Sequence, residues 1–188
     1  MLEIELKILE INKKEVISRI KKLKPKPQKL FEGLVRVKYF DFPDKRIYRK
    51  KNLLRLRQFI PKRKKSYIEL VYKICKGVKN GCKYFDEIEF TLPNGNFQKL
   101  SKFFKQLCLK QALYYEKKRT LYRYGKTKFE IDEHPRIPVF LEIEGPSPSA
   151  IKKAITWLGL GNNEQSSETI EELLKRKYPR VKLNKLTF

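Results

Sequence analysis

The feature that most constrains this chain is an alternation of charged and aliphatic residues that begins at its N-terminus. Within residues 3–8, Glu3, Glu5 and Lys7 alternate with isoleucine and leucine. Because successive side chains of a β-strand point to opposite faces, this spacing predicts a strand with one charged and one aliphatic face. A single half-buried surface strand would look the same, but six further segments repeat the i, i+2 spacing of charges. The repetition predicts a sheet whose whole face is charged.

Eight segments have the composition and spacing of strands, and hairpins join most of them. Residues typical of helix N-caps separate the others: Asn12, Asn96, Ser147 and Ser167 each precede an apolar helical stripe. We predict strands at residues 2–9, 30–42, 53–60, 67–75, 83–92, 114–124, 128–133 and 139–144, and a polar connection at residues 43–51.

The apolar stripes of the helices need a sheet face to pack on. One stripe, predicted to be the buried side of the second helix, consists of Leu100, Phe103, Phe104 and Leu107. If the helices cover the aliphatic face of the sheet, the charged face must line an interior, as the polar lumen of a barrel allows. We therefore predict an α+β fold: an eight-stranded antiparallel β-barrel with a charged interior and helices packed outside. Residues 1–178 would form this single domain, followed by a basic tail at residues 179–188.

The charge of the chain indicates an anionic partner. Its 188 residues include 45 Lys and Arg against 21 Asp and Glu, a formal net charge of +24. Such an excess favours nucleic acid, a nucleotide, polyphosphate or an anionic membrane surface, although a solvated lysine-rich surface accounts for part of it.

Cysteine and histidine chemistry is disfavoured. The three cysteines match no zinc spacing and are an odd number, and there is one histidine, His134. The sequence has no apolar run of membrane-spanning length and no signal peptide, so we expect a cytoplasmic protein that does not associate with membranes.

The predicted interior combines two sets of charged residues. Arginine and lysine side chains suit phosphate oxygens, and carboxylates are the hard ligands that Mg²⁺ or Mn²⁺ prefers. A carboxylate-bound metal beside a basic wall is the arrangement of phosphoryl-transfer sites. The basic set is Lys7, Arg55, Arg57, Lys73, Lys117, Arg119 and Arg123. The acidic set is Glu3, Glu5, Glu87, Glu89, Asp132, Glu142 and Glu144.

Seven short elements in the same order resemble the CYTH family, also called triphosphate tunnel metalloenzymes, over about residues 3–175. A lone Glu-x-Glu-x-Lys would be a weak signal, whereas seven ordered elements with hairpin spacing are a strong one. The elements are Glu3, Glu5 and Lys7; Tyr39-Phe40-Asp41; Leu54, Arg55 and Arg57; Tyr72-Lys73; Glu87 and Glu89; Lys117 and Arg119 with Asp132; and Phe140 to Gly145.

The resemblance implies a triphosphate tunnel that uses Mg²⁺ or Mn²⁺. Residue by residue, it implies metal ligands at Glu3, Glu5, Glu89, Asp132, Glu142 and Glu144. It implies phosphate contacts at Lys7, Arg55, Arg57, Lys73, Lys117, Arg119 and Arg123. As catalytic residues we select Lys7, Lys73 and Glu87.

The sequence departs from the family pattern at three places. Phe85 stands where the family often has an arginine, and Lys83, on the same strand face, is a candidate to replace it. Val37 occupies the position two residues before Tyr39 where the family usually has an acid. Ile74-Cys75 replaces the Gly-Pro that usually follows the lysine at position 73. These changes weaken inferences about substrate and rate and leave the other site residues in place.

The leading hypothesis is an enzyme that hydrolyses the terminal phosphate of a triphosphate such as ATP, thiamine triphosphate or tripolyphosphate. The first alternative is conversion of ATP to cyclic AMP and pyrophosphate, because the layout resembles the class IV adenylate cyclase-like branch and its thiamine triphosphatase-like relatives. Another alternative is processing of an RNA 5′-triphosphate. The rival from a different class is a non-catalytic module that binds polyphosphate or RNA 5′-ends. A homodimer is compatible with the sequence.

Overall fold

The computed structural model describes residues 2–93, 95–183 and 186–188. Within these ranges the chain forms nine strands and five helices. The strands are β1 (Leu2–Ile8), β2 (Gln28–Asp41), β3 (Leu53–Pro61), β4 (Tyr67–Lys79), β5 (Cys82–Leu92), β6 (Lys110–Tyr124), β7 (Thr127–Glu133), β8 (Phe140–Glu144) and β9 (Gln165–Ser166). The helices are α1 (Lys13–Lys22), α2 (Arg46–Arg49), α3 (Phe97–Gln106), α4 (Pro148–Trp157) and α5 (Ile170–Lys177).

The first eight strands close into an antiparallel barrel. Their order is β5-β4-β3-β2-β6-β7-β8-β1, and β1 pairs with β5 to complete the ring. The short β9 pairs with the last residues of β1, which extend beyond β5. The predicted fold class is confirmed.

The aliphatic face of the barrel lies outside and is covered by helices. Ile4 and Ile8 of β1 join a buried cluster with Val16 of α1 and with Ile151 and Ile155 of α4. Burying large aliphatic side chains contributes about 1.5–3 kcal/mol each, so this packing favours the orientation that turns the charged residues inward. Asn12 and Ser147 cap α1 and α4, as predicted, by accepting backbone N–H groups.

The second predicted helix, α3, is turned differently from the expectation. Asn96 caps it as predicted, but Phe103 and Leu107 are 56% and 51% exposed. Phe97 and Phe104 are its buried aromatic residues. The prediction that the stripe from Leu100 to Leu107 forms the buried side was therefore wrong for two of its four residues.

The connection predicted at residues 43–51 contains the short helix α2. The carboxylate of Asp41 accepts the backbone N–H groups of Phe42, Ile47 and Tyr48 at 2.7, 3.1 and 2.9 Å. The carboxylate thereby satisfies N–H groups at the start of the helix that would otherwise lack partners. Strands β4 and β6 also extend beyond their predicted ends.

The C-terminal residues cover one end of the barrel. Helix α5 is capped by Thr169 in a capping box with Glu172, so the prediction of Ser167 as the cap was wrong. Leu173 and Leu174 share a buried cluster with Leu9 and Phe140, where β1 ends and β8 begins. From the predicted tail, Leu183 and Leu186 join this cluster. Residues 184 and 185 lie outside the described part, and the boundary at residue 178 stays a prediction.

Among the described residues, the structure has no helix with the length and apolar character needed to cross a membrane.

Gly33 of β2 lies opposite Pro61 of β3. A Cβ at this position would lie 2.1 Å from the carbonyl oxygen of Ile60, so we expect Gly33→Ala to lower the free energy of unfolding by about 2 kcal/mol or more. Gly161→Ala is the matched control, because a Cβ there meets no atom within 4 Å. Urea denaturation of both variants tests this, and equal stability would contradict the described strand contact.

Candidate active site

The charged side chains of the strands meet inside the barrel. Glu5, Lys7, Lys73, Arg119 and Asp132 are all buried although they carry charge. They occupy alternate positions along their strands, so the i, i+2 spacing read from the sequence corresponds to the inward face. Burying an unpaired charge is costly, and each of these groups accordingly contacts a group of opposite charge.

Three carboxylates form the cluster best suited to a metal ion. Glu130, Glu142 and Glu144 each offer an oxygen, and these oxygens lie within 4.8 Å of one another. Strand register places Glu130 opposite Glu142 and Glu144 opposite Glu5. We call Glu130, Glu142 and Glu144 the carboxylate cluster.

Two members of the carboxylate cluster have raised pKa values, whereas nearby cations outweigh burial and lower the pKa of Glu142. Burial, with repulsion from Glu130 and Glu3, raises the pKa of Glu144 well above its usual value. The pKa of Glu130 is raised as well. Burial and repulsion from neighbouring carboxylates together outweigh the attraction of Arg119. A divalent cation would relieve this repulsion, and carboxylate oxygens are the donors that Mg²⁺ and Mn²⁺ favour. The donor set therefore fits the metal that the sequence analysis expects.

Glu130 was absent from the predicted metal ligands. The sequence carried a signal, since Glu130 precedes Asp132 by two residues and so shares its strand face. What it did not carry was the register that brings Glu130 opposite Glu142 across β7 and β8. The predicted ligands Glu142 and Glu144 lie in the carboxylate cluster.

The first strand contributes an ion-paired group next to this cluster. Lys7 Nζ lies 2.6 Å from Glu142 Oε2 and 3.3 Å from Glu5 Oε1. Burial opposes the charge on Lys7, but the two carboxylates outweigh it and raise the lysine pKa. Lys73 contacts Glu3 directly and lies 3.6 Å from Glu5 Oε2. Glu3 and Glu5 thus contact lysines, and their role as metal ligands stays a prediction.

Two arginines of β3, Arg55 and Arg57, face the interior of the barrel. Arg57 Nη2 lies 2.7 Å from Glu69 Oε2 and 3.0 Å from Glu89 Oε2, so the predicted metal ligand Glu89 contacts an arginine. Arg55 Nη2 lies 3.7 Å from Glu87 Oε1, and Lys73 Nζ lies 3.8 Å from the same oxygen. The Nε–H groups of both arginines are buried and have no hydrogen-bond partner among the described residues. Buried groups of this kind are suited to donate hydrogen bonds to an anionic ligand.

Lys117 and Arg119 are held by Asp132, which is 1% exposed. Lys117 Nζ donates to Asp132 Oδ2 at 2.7 Å, and Arg119 donates to both oxygens at 2.7 and 2.6 Å. Burial opposes its charge, but the two cations lower the pKa of Asp132 to about 2. Burial and Arg119 lower the pKa of Lys117, and together they outweigh the attraction of Asp132. Asp132 positions two cations, and its predicted metal role stays untested.

The remaining predicted cation, Arg123, lies at the rim. Its side chain is exposed and donates to Gln28 Oε1 at 2.7 Å. The candidate substitute Lys83 has its Nζ 3.6 Å from Glu172 Oε2 of α5 and 5.5 Å from the ring centre of Phe85. Lys73 Nζ lies 5.0 Å from the same ring. The ring of Phe85 therefore contacts two lysines at a position where the family pattern often has an arginine.

The family profile decides the assignment. The CYTH domain profile matches residues 1–169 of the sequence, which is nearly the whole chain. The chain belongs to the CYTH domain family. Enzymes of the CYTH family act on triphosphates and depend on metal ions, and the carboxylate cluster is a group that can hold a metal.

Solved structures share the CYTH fold. PH1819 of Pyrococcus horikoshii OT3 has 22% identity and a TM-score of 0.75, covering 93% of this chain and 99% of that chain. A candidate adenylate cyclase of Vibrio parahaemolyticus has 14% identity and a TM-score of 0.72 over 93% and 98%. HpAC1 of Hippeastrum, an adenylyl cyclase candidate with a dominant triphosphatase activity, has 14% identity and a TM-score of 0.62 over 93% and 95%. No curated protein sequence matches this CYTH domain.

His134 provides a probe of the interior because it is the one histidine of the chain. It is buried between Tyr115 and Phe140, and burial together with Lys117 lowers its pKa to about 3. Since the unfolded chain binds this proton near pH 6.5 and the folded chain does not, we expect stability to fall as pH drops from about 6.5 towards 3. The imidazole NMR signals should titrate near pH 3 in the folded protein and near 6.5 in urea. A folded-state pKa near 6.5 would contradict the described burial.

Proposed function

We propose that this protein hydrolyses the terminal phosphate of a triphosphate inside its barrel with the help of Mg²⁺ or Mn²⁺. The observation that carries the proposal is the juxtaposition, in one closed interior, of the carboxylate cluster with Lys73, Arg55, Lys117 and Arg119. A triphosphate with its metal ion is the kind of ligand that supplies anions to the cations and a cation to the carboxylates.

The basic side chains would hold the phosphates. No described residue accepts a hydrogen bond from the buried Nε–H groups of Arg55 and Arg57, and lysine ammoniums would add point charges that neutralise the phosphate chain. Lys7 contacts Glu142 and so fixes one member of the carboxylate cluster. When bound, the divalent cation supplies charge neutralisation and lowers the pKa of a water molecule.

The chemical step requires a proton acceptor. The oxygen of water forms a bond to the terminal phosphorus, and the bond from this phosphorus to its bridging oxygen breaks. Orthophosphate and a diphosphate leave. In this proposal Glu87, whose Oε1 lies 3.7 Å from Arg55 and 3.8 Å from Lys73, accepts the proton of the attacking water.

Hydrolysis is favoured over cyclisation because it needs no pocket for a base or ribose. Family membership supports a triphosphate substrate, and the dominant triphosphatase activity of HpAC1 is consistent with hydrolysis in a similar fold.

The products identify the reaction. We expect the protein to release orthophosphate from at least one of ATP, thiamine triphosphate and tripolyphosphate, resolved by phosphorus NMR, and to lose this activity with EDTA. The fastest substrate would identify the group carried by the triphosphate. Pyrophosphate with cyclic AMP would replace the proposal with a cyclase. Tight binding without turnover would replace it with a binding module.

Removing one phosphate contact tests the site. We expect Arg55→Ala to lower kcat/KM for the preferred triphosphate by about tenfold or more, because it deletes a buried guanidinium that faces the phosphates.

Arg36→Ala is the matched control. Arg36 lies on β2 and contacts Glu116, away from the interior, so this variant should keep wild-type kinetics. Equal effects of the two substitutions would count against the interior site.

A further inference from the structure

The one tryptophan of the chain lies on the surface. Trp157, at the end of α4, is 47% exposed. Its ring contacts Tyr124 edge to face, with ring centres 5.5 Å apart. Tyr124 is itself held in place, since its hydroxyl donates to the carbonyl of Lys24 at 2.5 Å. The indole is therefore supported from one side while half of it stays in contact with solvent.

Basic residues flank this aromatic pair in the segments that carry it or contact it. Lys153 precedes Trp157 by one helical turn and shares its side of α4. Lys126 lies in the turn after Tyr124, and Lys24 and Lys26 lie in the segment that the Tyr124 hydroxyl contacts. All four lysines are exposed. We call Lys24, Lys26, Tyr124, Lys126, Lys153 and Trp157 the Trp157 surface.

The segments that meet at the Trp157 surface carry charge of one sign. Residues 16–31, 117–129 and 145–163 contain no aspartate or glutamate. A strongly basic surface attracts polyanions and releases counterions when it binds them, and the exposed Glu15 at the edge of this surface is paired with Arg19. This patch lies outside the barrel, so the interior site does not account for it.

The composition of α4 discriminates between polyanions, because Trp157 is the one aromatic residue of this helix. A membrane-binding helix presents several large apolar side chains on one face. The exposed positions of α4 instead include Lys152, Lys153 and Thr156 beside Trp157. Single-stranded nucleic acid is bound by the combination seen here, in which lysines follow the backbone and an aromatic ring stacks on a base.

We propose that the Trp157 surface binds single-stranded nucleic acid, with one base stacked on Trp157 and the phosphates beside it contacted by the four lysines. The proposal concerns binding outside the barrel and does not depend on the proposed triphosphatase activity.

Intrinsic fluorescence tests the proposal directly, because Trp157 is the one tryptophan. A short oligouridylate, titrated in EDTA, should quench its emission. Inorganic polyphosphate, which has no bases, should compete for binding without quenching. In anisotropy titrations with a labelled oligouridylate, Trp157→Ala should weaken binding about tenfold, and Trp157→Phe should restore most of the affinity. Plotted against the logarithm of the salt concentration, log K of the binding constant falls with a slope that Lys126→Ala should make shallower by about 0.7.

Two substitutions on α3 serve as matched controls. Phe103 is another exposed aromatic residue, and Lys105 is an exposed lysine on the same helix. Phe103→Ala and Lys105→Ala should leave oligouridylate binding unchanged. Trp157→Ala should also keep the triphosphatase activity, which separates this surface from the interior site.

Three results would overturn the proposal. The first is that Trp157→Ala binds oligouridylate with unchanged affinity, because charge alone would then explain the binding. The second is quenching by polyphosphate as strong as by oligouridylate. The third is a blue shift of the emission with phosphatidylserine vesicles at a salt concentration where oligouridylate does not bind, which would assign the surface to membranes.

Discussion

Pairing of buried charges is the constraint on which the structure of this protein depends. Closing the sheet places lysines, arginines and carboxylates in a space with little water, where each ion requires a counter-ion. Arg119 contacts both Glu130 and Asp132, and Lys7 contacts both Glu5 and Glu142. Each of these contacts joins residues of the same or neighbouring strands, so strand register and ion pairing depend on each other. A slip of one residue would turn the charges towards the helices.

Two buried groups of this network have pKa values shifted towards their neutral forms. Burial and neighbouring carboxylates raise the pKa of Glu144, whereas burial and Arg119 lower the pKa of Lys117. The proposed ligand, a triphosphate with its metal ion, would bring a cation to the carboxylate cluster and anions to the buried lysines and arginines. Charged groups held in place before the ligand binds are typical of preorganised electrostatic sites.

The barrel and most of its inward-facing residues could be predicted because their physical cause is local. Alternation at i, i+2 indicates which side chains share a strand face. Few folds are compatible with eight such strands together with helices that have apolar stripes. Contacts that depend on register could not be predicted in this way. Glu130 belongs with Glu142 and Glu144 because β7 and β8 pair as they do. Phe103 fits the apolar stripe of α3 equally well whether it faces the sheet or solvent, and tertiary packing decided that it is exposed.

Closure of the barrel also has a consequence for how the chain acquires its structure. Glu5 of β1 pairs with Lys83 on one side and Glu144 on the other, so β1 is synthesised before both of its neighbours and stays unpaired until they have been made. Pairings between distant parts of a sequence slow folding and leave strand edges exposed in the meantime. Glu3, Glu5 and Lys7 lie on one face of β1, and charged side chains hydrate an unpaired strand and disfavour its pairing with other chains. We therefore expect the side chains that the closed barrel buries to protect β1 until its partners have been made.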